Sequence, residues 1–339
     1  MLPEAYLGVP VVALPATCLD NNAVLRRVRA AFEGPDELWP PIERRLRGVF
    51  RLCESDVRYL EEERPLPLAD HVLGPSREAL AAAGLGPADL DMLAYGAIAR
   101  EYFEPATASE VAGKLGAFRA LTFDVAAACS GSLMALQAAL GHMLLQPRLK
   151  NALITTVAIQ PGRIAWKMPD YETALLLAAG LTVGNASAAM TLTREPRGPC
   201  GRVVGVRSET LSEHWGLCRA PLDAPFVSHS IEIFALSSEV PGHLARLCED
   251  VGWAPSEVDL FVAHQPSNKV LRKIMREFGQ PEERAPGLHH LYGNTESAAV
   301  MLSLAHLHRE GRIKPGMKLV LMGAAGGFTM ASAALIWQG

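Results

Sequence analysis

Short runs of β-branched and other apolar residues alternate along the chain with longer alanine- and leucine-rich stretches whose apolar positions recur at helical spacing. That alternation predicts an α/β fold rather than a helical bundle or a β-sandwich. Strands are predicted at Met92–Tyr95, Leu121–Val125, Ala152–Val157, Ala188–Leu192, Leu260–Val262 and Leu319–Met322, with helices between them. Ser76–Ala83 continues an apolar helical face, which Gly84-Leu85-Gly86-Pro87 closes with a glycine-then-proline stop. Val240–Val251 reads the same way: it ends near Gly252-Trp253-Ala254-Pro255 and is followed by Glu257, Asp259 and the strand Leu260–Val262. The echo between "ADLDMLAYG" and "SEVDLFVAH" indicates an internal duplication, with halves 1–195 and 196–339. Their joint, Arg194–Gly201, has linker composition. The segment Pro35–Glu63 carries Pro40-Pro41, Arg44, Arg45, Arg47 and Glu61-Glu62-Glu63, and reads as an exposed excursion with solvated charges.

Composition narrows the function. With 339 residues, 49% hydrophobic and 20% charged, the chain is globular, neither disordered nor collagen-like. Its 32 basic and 36 acidic residues leave a net charge of −4, which gives no footprint for nucleic acid. No uninterrupted apolar run reaches the roughly 18 residues of a membrane span, and Met1-Leu2-Pro3-Glu4 lacks the positive start of a secretory signal. A cytoplasmic protein without a membrane span is expected. The six cysteines are scattered, with no C-x-x-C pair and no clustered histidines, so neither a disulfide framework nor a metal site is expected.

One cysteine stands out. Cys129 falls where the strand Leu121–Val125 gives way, through Ala126-Ala127-Ala128, to a helix predicted over Leu133–Leu140. A cysteine there is either a small buried hydrophobe or a nucleophile, and a helix N-terminus favours thiolate over thiol and lowers its pKa. Phe261-Val262-Ala263-His264-Gln265-Pro266 ends an apolar strand with a histidine, either a satisfied core residue or a catalyst. Tyr292-Gly293-Asn294-Thr295-Glu296-Ser297 sets an asparagine in a glycine-flanked turn, either an N-cap or a donor. Near the C-terminus, Gly323-Ala324-Ala325-Gly326-Gly327-Phe328-Thr329 brings bare backbone N–H groups to the end of a strand.

The motifs "FDVAAACSG", "VAHQ", "YGNTESAA", "GRIKPG" and "GAAGGFT", in this order, resemble the ketoacyl synthase III branch of the thiolase superfamily over essentially the whole chain. The separations of 135 residues from Cys129 to His264 and 30 from His264 to Asn294 suit that family. The resemblance implies the five-layer αβαβα thiolase fold, with inner helices buried between two sheets, and a homodimer. It also implies that Cys129 accepts the acyl group, that His264 and Asn294 hydrogen-bond the carbonyl of the second substrate, and that the N–H groups of Cys129 and Gly326 form an oxyanion hole. These roles suit the chemistry, since an acyl intermediate needs a sulfur nucleophile and an enolate needs donors aimed at its oxygen.

A finer resemblance lies upstream. Ala99-Arg100-Glu101-Tyr102-Phe103-Glu104-Pro105-Ala106-Thr107-Ala108-Ser109, with "GLTVGNASAAM" and "HWGLCRAPLD", is similar to OleA-type and α-pyrone-forming ketosynthases, which join two acyl chains head to head. It implies that Glu104 crosses the dimer interface as the base that removes an α-proton, with Glu101 a competing candidate. The arginine-glycine pair of the fatty-acid initiating enzymes has no counterpart in Trp166-Lys167-Met168-Pro169-Asp170-Tyr171. Lys269 becomes the expected phosphate contact, Arg45 and Phe234 are further substrate contacts, and a carrier protein meeting Arg44, Arg45, Arg47 and Lys269 is an alternative to CoA as acyl donor. No cofactor is expected beyond these acyl thioesters. The expected product is a β-keto acid, its thioester or a pyrone. The alternatives are decarboxylative condensation with a malonyl thioester, acyl transfer to an alcohol or amine, and a non-catalytic partner subunit that lends Glu104.

Overall fold

A computed structural model describes residues 2–61, 66–159, 164–222 and 224–339. The chain opens with strands β1 (Tyr6–Gly8) and β2 (Val11–Ala13), then helices α1 (Asn21–Ala30) and α2 (Trp39–Cys53). After α3 (Leu68–Ala82) come β3 (Met92–Gly96), α4 (Thr107–Leu115), β4 (Leu121–Val125), α5 (Gly131–Leu145) and β5 (Asn151–Ala158). The short α6 (Tyr171–Leu177) precedes β6 (Ala186–Thr193), and β7 (Cys200–Thr210) leads to α7 (Ser230–Leu236) and α8 (Val240–Val251). The last elements are β8 (Leu260–Ala263), α9 (Asn268–Glu277), α10 (His289–Tyr292), α11 (Ala299–Arg309), β9 (Lys318–Ala325) and β10 (Thr329–Trp337).

Among the described residues, these ten strands form one sheet in the order β8-β9-β10-β7-β1-β6-β5-β3-β4, with β2 paired to β6, while two small two-stranded sheets, Thr17–Asp20 with Val57–Leu60 and Cys218–Arg219 with Val227–Ser228, stand apart from it. The pairing is mirrored about the β1–β7 seam. On one side β1–β6 and β6–β5 are antiparallel and β5–β3 parallel. On the other, β7–β10 and β10–β9 are antiparallel and β9–β8 parallel. The two mirrored halves are the two sheets that the resemblance implies, and the antiparallel β1–β7 pairing of Tyr6 with Arg202 and Leu7 with Gly201 joins them edge to edge.

Both sides of the sheet enclose α5 and α11. Leu133, Leu136, Leu140 and Met143 of α5 share one buried cluster with Val300, Met301, Leu304 and Leu307 of α11, and with residues of nearly every strand. Enclosure explains why α5 has no polar face: a helix packed all round can be apolar all round. Residues 128–145 are long and apolar enough to cross a membrane by length and composition, yet half of that stretch is buried in this cluster. Helices α3 and α4 cover the outer face on one side, and α8 and α9 on the other, completing the expected layers.

The region 35–63 departs from expectation. Instead of an exposed excursion it contains α2, whose Ile42, Leu46, Val49 and Phe50 are buried at helical spacing against α1. Pro40 and Pro41 are accommodated in its first turn, where a missing N–H costs nothing. Glu62 and Glu63 of the charge run lie outside the described residues, as does Asp223 of "HWGLCRAPLD".

Candidate active site

The chain leaves β4 through Ala126 and Ala127 and makes a single 3₁₀ turn, Ala128–Ser130, before α5 begins at Gly131. Ala128 has φ of 46°, a left-handed conformation that costs a non-glycine residue about 1 kcal/mol or more. The helix start is held tightly against β3, because a Cβ on Gly131 would lie 2.8 Å from the Gly96 carbonyl. Ser130 Oγ donates to the Thr329 carbonyl at 3.2 Å, and Ser132 Oγ to the Ser297 carbonyl at 2.8 Å. Cys129, on this pinned turn, faces a mostly apolar cavity of about 490 Å³.

His264 follows β8, its N–H bonded to the Met322 carbonyl at 2.8 Å, so the ladder between β8 and β9 fixes its backbone. Asn294 follows α10. Its N–H donates to the Thr182 carbonyl at 2.8 Å and its carbonyl accepts from Gly184 at 3.0 Å, which leaves the side chain aimed inward. Gly293 permits this: its φ is 70°, and a Cβ there would sit 2.6 Å from the Thr182 carbonyl. Nε2 of His264 lies 3.1 Å from Oδ1 of Asn294, which also accepts from the Glu296 N–H at 3.0 Å. With Oδ1 engaged, the Asn294 amino group is its remaining donor.

The cavity brings together Cys129, His264, Asn294, Gly326, Lys269 and Phe234. Lys269, in the first turn of α9, is exposed and stands at the rim. Phe234 is half-buried on α7, with Lys273 Nζ 5.2 Å from its ring centroid. Leu217, Phe226, Ile233, Val240, Leu271 and Phe328 supply apolar wall. Such a volume and lining fit a small organic ligand or an acyl chain.

One expected contact, Arg45, lies elsewhere. Arg45 is on α2 two turns before Cys53; Cys53 lines the cavity and Arg45 does not. Its neighbour Arg44 is exposed, and Arg47 is paired with Glu43 at 2.7 Å. Glu104 is likewise absent from the wall of its own chain's cavity and is exposed, beside Phe103, which is 94% exposed. Glu101, the competing candidate, accepts the Leu68 N–H at the start of α3 at 3.1 Å. Asp124 of β4 anchors the far end of that loop by accepting from the Thr107 and Ala108 N–H groups at 2.8 and 2.9 Å.

The electrostatics correct one expectation. Burial pushes the Cys129 thiol well above its ordinary range, and the Glu296 charge and Cys218 push the same way, whereas its own N–H pulls only weakly against them. Desolvation is the largest of these influences, and it favours the neutral thiol. His264 is driven down to about 4 by burial, against hydrogen bonds to Asn294 and the Ala324 backbone, so its ring is neutral at pH 7.

Three of the wall residues carry chemistry that sequence reading passed over: Cys53, Cys218 and Glu296. All six cysteines are free. Burial raises Cys53 to about 11 and Cys218 to about 12, so both are neutral thiols. Glu296 is 6% exposed, and its place inside the alanine-rich "YGNTESAA" motif was the available signal.

Comparison with known proteins bears on the whole chain. A family model for the C-terminal part of 3-oxoacyl-[acyl-carrier-protein] synthase III matches residues 248–337. The β-ketoacyl-[acyl-carrier-protein] synthase III of Lactobacillus delbrueckii subsp. bulgaricus is 31% identical over 74% of this chain and 79% of its own length. The acyl-CoA:acyl-CoA alkyltransferase of Xanthomonas campestris pv. campestris is 28% identical over 85% of each chain. A crystal structure of Xanthomonas campestris OleA superposes with a TM-score of 0.88 at 24% identity, covering 99% of both chains, and shares the fold.

Proposed function

The chain belongs to the β-ketoacyl-[acyl-carrier-protein] synthase III family of condensing acyltransferases, and from that premise we propose that it joins two acyl thioester chains head to head by Claisen condensation. The convergence of Cys129, His264, Asn294 and Gly326 on one apolar cavity supports condensation through an acyl-Cys129 intermediate, a feature common to head-to-head and decarboxylative routes, and Glu104 is the residue that favours the head-to-head course.

In the proposed mechanism Cys129 Sγ bonds to the carbonyl carbon of the first chain and the donor thiol leaves. A second acyl thioester then enters, its carbonyl oxygen against neutral His264 and the Asn294 amino group. Removal of its α-proton gives an enolate whose charge those donors stabilise. The α-carbon attacks the Cys129 thioester, the tetrahedral oxyanion is held by the N–H groups of Cys129 and Gly326, and collapse expels the Cys129 sulfur. The product is a β-keto thioester, from which a β-keto acid or a pyrone derives.

An α-proton beside a thioester is weakly acidic, so condensation without loss of CO₂ needs a base shielded from water. Glu104 of the partner subunit is proposed for that role. Three features support it: Glu101 is engaged at α3, Glu104 is exposed next to Phe103, and β4, the strand anchored to this loop through Asp124, is one of the two edge strands of the sheet. Pairing through that edge in a homodimer delivers one glutamate to each site by two-fold symmetry. The name of the Xanthomonas campestris relative, an acyl-CoA:acyl-CoA alkyltransferase, fits two acyl-CoA substrates, with Lys269 at the rim meeting the donor's phosphate.

The test is complementation without malonyl thioester. Glu104→Gln and Cys129→Ala should each be inactive alone, while mixed dimers regain activity from the one site with an intact cysteine and a partner glutamate. Normal condensation by Glu104→Gln would reject the assignment.

A further inference from the structure

The side chain of Asn294 is aimed by the backbone around it, and that backbone leads to a residue outside the cavity. Thr182 and Gly184 hold the Asn294 N–H and carbonyl, and the same short segment is held from its other side by the strand Val57–Leu60, where the Asn185 N–H donates to the Tyr59 carbonyl at 2.7 Å. Helix α10, which runs into Gly293, packs on that strand, with the rings of Tyr59 and Tyr292 6.3 Å apart. Directly under Gly293 lies Arg58: a Cβ on this glycine would come 3.1 Å from the Arg58 Cβ. The turn that presents Asn294 therefore rests on the strand that carries Arg58.

Arg58 is fully buried and forms no ion pair among the described residues; the Asp20 and Asp56 charges act on it only from a distance. Its guanidinium donates instead to neutral acceptors on separate stretches of chain: the Leu19 carbonyl at 3.5 Å, Asn21 Oδ1 at 2.9 Å at the start of α1, and Ser55 Oγ at 3.2 Å just beyond α2. The ring of Phe50, on α2, is centred 4.9 Å from the guanidinium carbon. A buried cation without a carboxylate partner is less favourable than an apolar side chain of the same size. An apolar side chain, however, cannot tie these stretches together. The guanidinium is a rigid fork, so its bonds fix the strand Val57–Leu60 against α1 and the end of α2. Gly293 then leaves no room for a side chain between that strand and the Asn294 turn.

We propose that Arg58 is a positioning residue for condensation: by fixing the strand beneath Gly293 it sets the direction of the Asn294 amino group towards the carbonyl oxygen of the second substrate. Arg58 is absent from the cavity wall, and its effect on the reaction runs through Asn294. The inference rests on Asn294 as a donor to that carbonyl, and it is the same whether the second substrate is a plain acyl or a malonyl thioester.

The experiment is a double-mutant cycle of Arg58→Met and Asn294→Ala, with single-turnover loading of Cys129 and condensation followed separately and the second thioester being the one that wild type accepts. Arg58→Met should load within a few-fold of wild type and condense about 10-fold more slowly, a part of the roughly 10²-fold effect of one aimed donor. In a chain already lacking Asn294 the same substitution should leave condensation unchanged, because the group it aims is gone. Arg58→Lys keeps the charge but not the fork, and should show the same pattern. Normal condensation by Arg58→Met overturns the proposal. So does a loss in loading equal to that in condensation, or an equal loss of condensation with and without Asn294, since either makes Arg58 a structural residue only. If the methionine chain does not fold, the cycle with Arg58→Lys decides by the same criteria. Wild-type condensation by Asn294→Ala alone would reject the reading of the site, and the role of Arg58 with it.

Discussion

Two short turns meet in the middle of the molecule. Ala128–Ser130 and Glu296–Ala298 are both single 3₁₀ turns, both start from a non-glycine residue in left-handed conformation, and both feed a central helix, α5 or α11, of the same buried cluster. Their second residues differ in chemistry and in surroundings. Cys129 is half-buried and faces the cavity. Ser297 is fully buried, and its hydroxyl accepts from Thr156 Oγ1 at 2.7 Å. The same backbone device thus yields a candidate nucleophile once and a structural hydrogen bond once. A helix N-terminus alone does not make a nucleophile; here reactivity depends on an open cavity and aimed donors.

The strongest way to break this comparison is to exchange the turns' roles. Cys129→Ala should abolish both the acyl adduct by intact mass and all condensation, leaving the fold intact by circular dichroism. Adding Ser297→Cys to that chain should not restore loading, because position 297 faces Thr156 rather than the cavity. An acyl adduct on the sulfur introduced at position 297 would show that the turns are chemically interchangeable.

Next in size are the donors. His264→Ala and Asn294→Ala should still load Cys129 but condense about 10²-fold more slowly, the usual worth of one donor to a developing oxyanion. Separate single-turnover rates for the two steps would show it; equal losses in both would move these residues to thiol activation.

The burial that keeps His264 neutral also sets an acid limit on stability. Its folded pKa of about 4 lies below the ordinary 6.5, so its share of stability is full above pH 6.5 and is lost as pH falls towards 4. At about 1.4 kcal/mol per pH unit the loss approaches about 3 kcal/mol. His289, also lowered to about 4 by burial, adds to the same window. Urea unfolding between pH 7 and 4 should therefore show a shallower decline for His264→Gln than for wild type, and parallel curves would contradict the neutral, buried ring.

The smallest effect sharpens the structural side. Ser297→Ala removes the acceptor of the Thr156 hydroxyl and should cost about 1–2 kcal/mol in denaturant unfolding while loading of Cys129 stays within a few-fold. A large loading defect with unchanged stability would place Ser297 in the chemistry.

Much of this arrangement is legible in the residues. Leu121–Val125 and Val240–Val251 match their predicted bounds to the residue, because an apolar run with turn signals and an amphipathic run with a glycine stop leave few alternatives. β10, Thr-Met-Ala-Ser-Ala-Ala-Leu-Ile-Trp, escapes prediction: small residues buried on both faces of a central strand carry no alternation. α2 escapes it because its prolines and arginines mask an apolar stripe at Ile42, Leu46, Val49 and Phe50. At the site, Cys129, His264 and Asn294 stand out through their motifs. The state of the Cys129 thiol does not, since it depends on Glu296, 167 positions away, and on burial that only tertiary packing creates. Glu296 itself reads in the sequence as part of a motif rather than as a buried charge.

The most direct measurement is mass spectrometry of the products that wild-type protein forms from a pair of isotopically distinguishable acyl-CoAs, with and without malonyl-CoA. The expected result is a β-keto product, or the ketone left when it loses CO₂, containing both labelled chains in the absence of malonyl-CoA. A product that appears only when malonyl-CoA is supplied, longer than one starting chain by two carbons, would contradict head-to-head condensation and assign the site to decarboxylative synthase chemistry.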